Sequence, residues 1–172
     1  MADPWHESVL GRDDAEYPLR GFDEVGRAAS TLADQCVREL RVLTPDLESR
    51  VYDNDAFVEA AKRLALSSRF ARLRFLVVDS GPAVRSGHRL ITLARKLTTF
   101  IAVRRVGPAS RDGTIDAFLL ADDRGLLYRS LGDRPDGTVC FNAPLAARVQ
   151  AARFDELWAE SQTDPDMRRL HL

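Results

Sequence analysis

Residues 115–122 of this chain read Ile115-Asp116-Ala117-Phe118-Leu119-Leu120-Ala121-Asp122. The run from Ile115 to Ala121 is almost wholly apolar and predicts a strand. The residues that follow, Asp122-Asp123-Arg124-Gly125, suit a tight turn because Asp and Gly adopt the backbone conformations that hairpin turns require. Apolar residues resume from Gly125 to Arg129. The sequence therefore predicts a β-hairpin at this point of the chain.

Helices and strands alternate in the part of the chain that precedes the hairpin. Apolar residues at helical spacing predict three helices there, at 22–36, 57–65 and 83–98. Alternating or continuous apolar runs predict three strands between them, at 38–43, 73–78 and 100–106. A short strand at 138–141 and a helix beginning after Pro144 follow the hairpin. This order predicts a layered α/β fold with a mainly parallel sheet flanked by helices and an antiparallel edge near the hairpin.

The length of 172 residues suits one domain. We expect three parts: an N-terminal arm at 1–21, an α/β domain at 22–162 and a C-terminal tail at 163–172. No apolar run reaches the roughly 18 residues of a membrane span, and the N-terminus lacks the basic and apolar segments of a secretion signal. The sequence therefore predicts a cytoplasmic protein without membrane contact. Cys36 and Cys140 are accordingly predicted to be reduced core residues.

Charge is distributed unevenly along the chain. There are 25 Lys and Arg residues against 26 Asp and Glu residues, but 11 of the basic residues and only one acid fall within 62–105. Either acids elsewhere in the fold neutralise this arginine-rich segment, or the segment meets an anionic partner. Nucleic acid is one such partner. Against it, the segment has no recognised binding motif, and no exposed aromatic residue is expected among its arginines.

The hairpin strand resembles the active-site strand of the phospholipase D superfamily. The pattern of that superfamily is His-x-Lys-x-x-x-x-Asp, often with an aromatic residue after the Lys. Alignment on Phe118 places Ile115 at the His position and Ala117 at the Lys position, and Asp122 alone matches. The chain also resembles an uncharacterised bacterial family of degenerate phospholipase D-like domains, through segments that include Gly87-His88-Arg89-Leu90 and Arg153-Phe154-Asp155-Glu156-Leu157-Trp158.

The resemblance implies one half of the phospholipase D fold over residues 22–162. Two such halves pack together in the superfamily, within one chain or as a homodimer, so we expect a homodimer here. In the superfamily the His is the nucleophile and the Lys grips the phosphate, and Ile115 and Ala117 can do neither. Together with Asp122 they form a vestigial motif. The chain is therefore predicted not to be an enzyme and to use no cofactor.

A small-anion site is predicted at the strand-to-helix turn after residues 73–78. Ligands of open α/β sheets favour the carboxyl ends of strands, and free N–H groups at helix starts attract anions. The candidate ligand-binding residues at this turn are Asp79, Ser80, Arg85, His88 and Arg89. The alternative is a solvated helix face with a capping Ser80 and a structural His88.

Three functions follow from these observations. The leading hypothesis is a non-catalytic binding or regulatory module, a homodimer whose ligand is a small anion or a partner protein. The second is a nucleic-acid-binding protein that uses the arginine-rich segment 62–105. The third is a phosphodiesterase-like hydrolase with a relocated site, for which Asp79, His88 and Asp122 are the first residues to test. Four carboxylates lie in and around the hairpin, those of Asp116, Asp122, Asp123 and Asp133. Their spacing matches no calcium loop, so a metal site is not predicted.

Overall fold

A computed structural model describes residues 2–168 as a seven-stranded sheet flanked by helices. The strands are β1 (Glu16–Leu19), β2 (Glu39–Thr44), β3 (Arg72–Val77), β4 (Ile101–Arg105), β5 (Ala117–Ala121), β6 (Gly125–Arg129) and β7 (Gly137–Cys140). The helices are α1 (Phe22–Gln35), α2 (Ser49–Tyr52), α3 (Asp55–Ser67), α4 (Gly81–Ser86), α5 (Arg89–Lys96), α6 (Pro108–Arg111), α7 (Pro144–Ala159) and α8 (Pro165–Arg168). The predicted layered α/β class is confirmed.

The strand order across the sheet is β1-β7-β6-β5-β2-β3-β4. Only β2, β3 and β4 run parallel to one another, and the other four neighbouring pairs are antiparallel. The predicted predominance of parallel pairs is therefore wrong. The reason is that β5, β6 and β7 are joined by short connections, which can link only antiparallel strands. We call the end of the sheet at which β2, β3 and β4 finish the carboxyl end, and the opposite one the amino end.

Each face of the sheet is covered by helices. One face packs against α1, α3 and α5, whose apolar stripes place side chains such as Leu32, Phe57 and Leu90 in the larger part of the core. The other face is covered by α7, where Phe154 contacts Phe118 of β5 with ring centroids 6.4 Å apart. The hairpin strand β5 therefore lies in the middle of the fold and is buried on both sides.

The boundaries predicted at residues 21 and 162 do not separate structural units. In the predicted arm, Trp5 is only 1% exposed, and β1 pairs with β7 to form the sheet edge. In the predicted tail, Asp164 and Met167 are buried, and Asp164 is hydrogen-bonded to Ser80. Both segments gain stability by burying side chains on the domain. Residues 169–172 of the predicted tail lie outside the described part of the chain.

The helix predicted over 83–98 is two helices in the structure. Gly87 ends α4 with a left-handed backbone, φ +68°, which glycine adopts without steric penalty. His88 then begins α5 by accepting a hydrogen bond on Nδ1 from the backbone N–H of Leu90, at 3.1 Å. The apolar periodicity of the sequence continues through this break between α4 and α5, so the pattern does not predict the break.

Two further expectations concern the environment of the chain. Cys36 and Cys140 are free and buried, as predicted. Residues 2–168 contain no helix of the length and apolarity that crossing a membrane requires.

Candidate functional site

A buried ion pair lies at the carboxyl end of the sheet. Arg129, the last residue of β6, is 1% exposed, and its Nη2 group pairs with the Glu48 carboxylate in the loop after β2. Its Nη1 group donates to the carbonyl oxygens of Gly132 and Arg134, at 2.9 and 3.0 Å. The guanidinium also stands 5.7 Å from the centre of the Phe22 ring. Arg129 thus holds together the loops that surround this end of the sheet.

Acidic residues gather around Arg129. Burial raises the pKa of Asp46, and the neighbouring Glu48 and Asp79 carboxylates raise it further, while Arg129 opposes them. Arg129 therefore favours the charged form of Asp46 and pairs with Glu48. No three His, Cys, Asp or Glu side chains within residues 2–168 are placed to hold a metal ion.

The two positions aligned with the His and Lys of the motif, Ile115 and Ala117, lie near this ion pair. Ile115 is 62% exposed in the loop before β5, and its carbonyl oxygen accepts a hydrogen bond from the N–H of Gly132 at 2.7 Å. Ala117 is buried as the first residue of β5 and lies opposite Arg129 in the strand register. The cation nearest in register to the aligned Lys position is therefore Arg129, whose charge is already paired.

Asp122 lies at the amino end of the sheet, a full strand away from Ile115. Its carboxylate accepts hydrogen bonds from the N–H groups of Val37, Arg38 and Glu39, at 2.7 to 2.9 Å. The Cys36 thiol also contacts it, at 3.3 Å. Asp122 has a left-handed backbone in the hairpin turn, φ +53°, which Asp tolerates better than most residues. The Asp122 carboxylate therefore connects the hairpin turn to the loop between α1 and β2 through hydrogen bonds.

Two of the predicted anion ligands are committed to the fold. Ser80 is buried and donates its hydroxyl hydrogen bond to Asp164. His88 is 1% exposed, and its Nε2 lies 3.0 Å from the Leu47 carbonyl oxygen, which fixes the proton on that nitrogen. Burial lowers the pKa of His88, so the ring stays neutral at neutral pH. Both side chains therefore make contacts of the kind that the structural alternative describes.

The other three predicted ligands do not complete an anion site. Asp79 accepts from the N–H of Gly81 at 3.0 Å, and Arg89 pairs with Asp53 and Asp55. Arg85 is exposed on α4. Of the five predicted residues, only His88 lines the adjacent cavity of about 350 Å³. Four of the five predicted residues therefore hydrogen-bond or pair with other groups of the protein, and Arg85 alone among them is exposed without such a contact in residues 2–168.

The residues named for a relocated hydrolase site do not lie together, and neither do the carboxylates around the hairpin. Asp79 and His88 lie near the carboxyl end of the sheet, whereas Asp122 lies at the amino end. Asp116 is likewise separated from Asp122 by the length of β5, and its carboxylate is paired with Arg153. A strand of five residues is long enough to place the residues before and after it at opposite ends of the sheet.

Three of the eleven basic residues of segment 62–105 pair with acids. Arg63 pairs with Asp34, and Arg74 pairs with Glu39 and Asp155 beneath α7. Arg89 is paired as described above. The acids that pair with these three arginines all lie outside the segment. For these three arginines, therefore, acids elsewhere in the fold neutralise the charge.

The amino end of the sheet has a groove with a volume of about 890 Å³. It is bordered by the N-terminal arm, the loop between α1 and β2, the loop between α3 and β3, and the hairpin turn. The residues that line it are Val9, Leu10, Gly11, Gln35, Val37, Arg38, Glu39, Phe70, Arg72, Asp122, Asp123 and Arg124. Phe70 is 58% exposed there, which corrects the expectation that the arginine-rich segment lacks an exposed aromatic residue.

The sheet order and helix placement define a protein of the phospholipase D fold. The chain is similar to Nuc, a phospholipase D family member from Salmonella typhimurium, with a TM-score of 0.63 and 10% identity over 87% of this chain and 97% of Nuc. It is similar to NucT from Helicobacter pylori, with a TM-score of 0.62 and 6% identity over 87% of this chain and 99% of NucT. Within that class, residues 22–170 match the domain of unknown function DUF7931, and the chain belongs to that family.

A third solved structure with this fold is TrmBL2, an archaeal chromatin protein whose structure shows a mode of DNA binding. The TM-score is 0.64 with 14% identity over 94% of this chain, and the chain spans 58% of the length of TrmBL2. No match was found among the curated proteins. At these identities the likeness shows the fold alone.

Two features of the site are absent from the sequence-based predictions. The Arg129–Glu48 pair joins residues 81 positions apart, so only the fold brings them together. The groove has a local signal in Arg69-Phe70-Ala71-Arg72, where an aromatic residue stands between arginines at a helix-to-strand connection. Loops of this kind lie on the surface, which is what exposes Phe70.

Proposed function

We propose that this protein is a non-catalytic phospholipase D-fold module that acts by binding rather than by hydrolysis. The observation that carries the proposal is the Arg129–Glu48 pair at the carboxyl end of the sheet. A phosphoryl-transfer site needs a nucleophile and a cation that is free to meet the phosphoryl oxygens. Ile115 and Ala117 supply neither, and the nearest cation in register is already paired with a carboxylate.

The proposal predicts the absence of phosphodiesterase activity. The purified protein is expected to hydrolyse bis(p-nitrophenyl) phosphate no faster than buffer, because the described residues offer no free imidazole near Ala117. An active phospholipase D-family nuclease serves as the positive control. Hydrolysis that stays proportional to the amount of this protein through successive purification steps would contradict the proposal.

We also propose that the protein is a homodimer assembled through the carboxyl end of the sheet, where halves of the superfamily meet. Support comes from two exposed apolar side chains, Ile115 and Leu131, on loops that the Gly132-to-Ile115 hydrogen bond holds together. Exposed apolar groups at a symmetric surface favour association of two copies, because each covers the other.

Charge at this surface is expected to disrupt the dimer. The double variant Ile115→Lys/Leu131→Lys should sediment as a monomer at concentrations at which the wild-type protein sediments as a dimer. The matched control is Leu145→Lys/Val149→Lys, which places two lysines on an exposed apolar face of α7 instead. A wild-type monomer, or a dimer that the control disrupts and the first variant does not, would refute this assembly.

Nucleic-acid binding is the second candidate function. The likeness to an archaeal chromatin protein favours it, as does the arginine-rich segment that the sequence analysis identified. Because Arg63, Arg74 and Arg89 are paired with acids, the segment does not act as one cationic surface. The arginines that remain without acid partners around Phe70 are the better candidates for contact with phosphate.

A further inference from the structure

Four arginines surround the groove at the amino end of the sheet. Arg38, Arg72 and Arg124 line it, and Arg69 stands beside it with its guanidinium 4.7 Å from the centre of the Phe70 ring. Within residues 2–168, none of these four guanidinium groups lies within 4.0 Å of a carboxylate. They are therefore able to bind an anion.

The acids of the same groove are already occupied. Glu39 pairs with Arg41 and Arg74, and Asp123 pairs with Arg41. The Asp122 carboxylate accepts three backbone N–H groups. Hydrogen bonds from N–H groups leave the Asp122 charge in place, and Arg41 and Arg74 are shared among Glu39, Asp123 and Asp155. The four unpaired arginines outnumber the carboxylate charges that remain, so the groove is positively charged. An anionic ligand is favoured over a cationic one.

Phe70 gives the groove a flat apolar surface. Its side chain is 58% exposed, and Val37 beside it is exposed as well. Burying an exposed aromatic ring against a planar ligand is favourable, and a nucleobase stacks well on an aromatic side chain. The contacts of Arg38 and Arg69 with the exposed ring are weak, so both arginines can exchange them for a phosphate.

We propose that this groove binds single-stranded nucleic acid, with a base stacked on Phe70 and the flanking phosphates contacted by Arg38, Arg69 and Arg72. The ligand needs both a planar ring and a negative charge next to it, and a nucleotide unit has both. Duplex DNA fits the groove poorly because its bases are stacked on one another and cannot reach Phe70. The groove lies at the opposite end of the sheet from Arg129.

This inference rests on the proposed function, since it supplies a ligand for a protein that acts by binding. The two can fail separately. Cleavage of the nucleic acid would contradict the non-catalytic proposal and leave the groove assignment intact. Binding that does not depend on Phe70 would contradict the groove assignment and leave the non-catalytic proposal intact.

The test is fluorescence anisotropy of a labelled short oligothymidylate titrated with the full chain. Phe70→Leu keeps an apolar side chain but removes the stacking surface, and it is expected to weaken binding about 10-fold. Arg38→Gln/Arg69→Gln should lower the slope of log affinity against log salt concentration by about 1.4, because each lost phosphate contact removes about 0.7 for single strands. Both variants should retain the wild-type unfolding midpoint, since the three side chains are exposed.

Matched controls remove the same groups elsewhere on the surface. Arg148→Gln removes one exposed positive charge from α7, and Leu145→Ala removes an exposed apolar side chain. Both are expected to bind the oligonucleotide as the wild-type protein does. Wild-type affinity in Phe70→Leu, or equal affinity for a duplex of the same sequence, would overturn the proposal. A free nucleoside triphosphate that binds as tightly as the oligonucleotide would overturn the assignment to a strand.

Discussion

Replacing Arg129 by Leu is expected to lower the free energy of unfolding by about 3–5 kcal/mol, the usual effect of removing one partner from a buried ion pair. The substitution removes the cationic partner of the Glu48 carboxylate, which keeps the Thr44 hydroxyl as a donor, and it removes the donor to the carbonyl oxygens of Gly132 and Arg134. The measurement is the urea unfolding curve, compared with that of Arg148→Leu. Because Arg148 is exposed, its replacement should change the free energy by no more than about 0.5 kcal/mol.

The interaction between the two partners can be isolated by a double-mutant cycle. Glu48→Leu alone should also destabilise the protein, because it leaves the Arg129 guanidinium buried without its carboxylate. The double variant Arg129→Leu/Glu48→Leu should be more stable than the sum of the two single effects predicts, since neither charge is then left unpaired. Additive effects would show that the pair does not hold this end of the sheet together.

Removal of the Asp122 carboxylate is the second large effect that we expect. Asp122→Gly keeps a residue that adopts a left-handed backbone freely, and it deletes the acceptor for the N–H groups of Val37, Arg38 and Glu39. Hydrogen bonds to a charged group contribute about 1.5–3 kcal/mol each, and water can replace part of them at this half-buried position. We expect a total loss of about 2–3 kcal/mol in the free energy of unfolding.

Asp122→Asn should lose less stability than Asp122→Gly, because the amide oxygen still accepts hydrogen bonds and Asn also tolerates a left-handed backbone. Asp133→Gly, in an exposed loop, is the control for the change of residue type. Equal stability of Asp122→Gly and Asp133→Gly would mean that Asp122 is only a turn residue.

The fold is largely predictable from the sequence because its signals are local. Apolar spacing identifies α1, α3 and α7, and the hairpin of β5 and β6 follows from its Asp-Asp-Arg-Gly turn. The strand directions are less predictable, because a sheet may add antiparallel strands at one edge without any change in the pattern of each strand. The role of β1 is missed for a related reason: four residues around Pro18 carry no strand signal of their own, and pairing with β7 makes them a strand.

The site is less predictable because it depends on which side chains the fold brings together. The sequence analysis grouped five residues because they are neighbours in sequence: Asp79, Ser80, Arg85, His88 and Arg89. In the structure, Ser80, His88 and Arg89 each form a hydrogen bond with a distant segment of the chain. Conversely, Arg38, Phe70 and Arg124 meet at the groove from three separate loops. A charge count over a window of sequence cannot distinguish arginines that are paired inside the fold from those that are not.

We propose that this phospholipase D-fold protein binds its ligand without reacting with it. The most direct test follows one end-labelled single-stranded oligonucleotide in the presence of excess protein, by anisotropy and then on a denaturing gel. We expect full binding, weakened by Phe70→Leu, and an oligonucleotide of unchanged length after prolonged incubation. Shortened products that increase with time and with the amount of protein would contradict the claim.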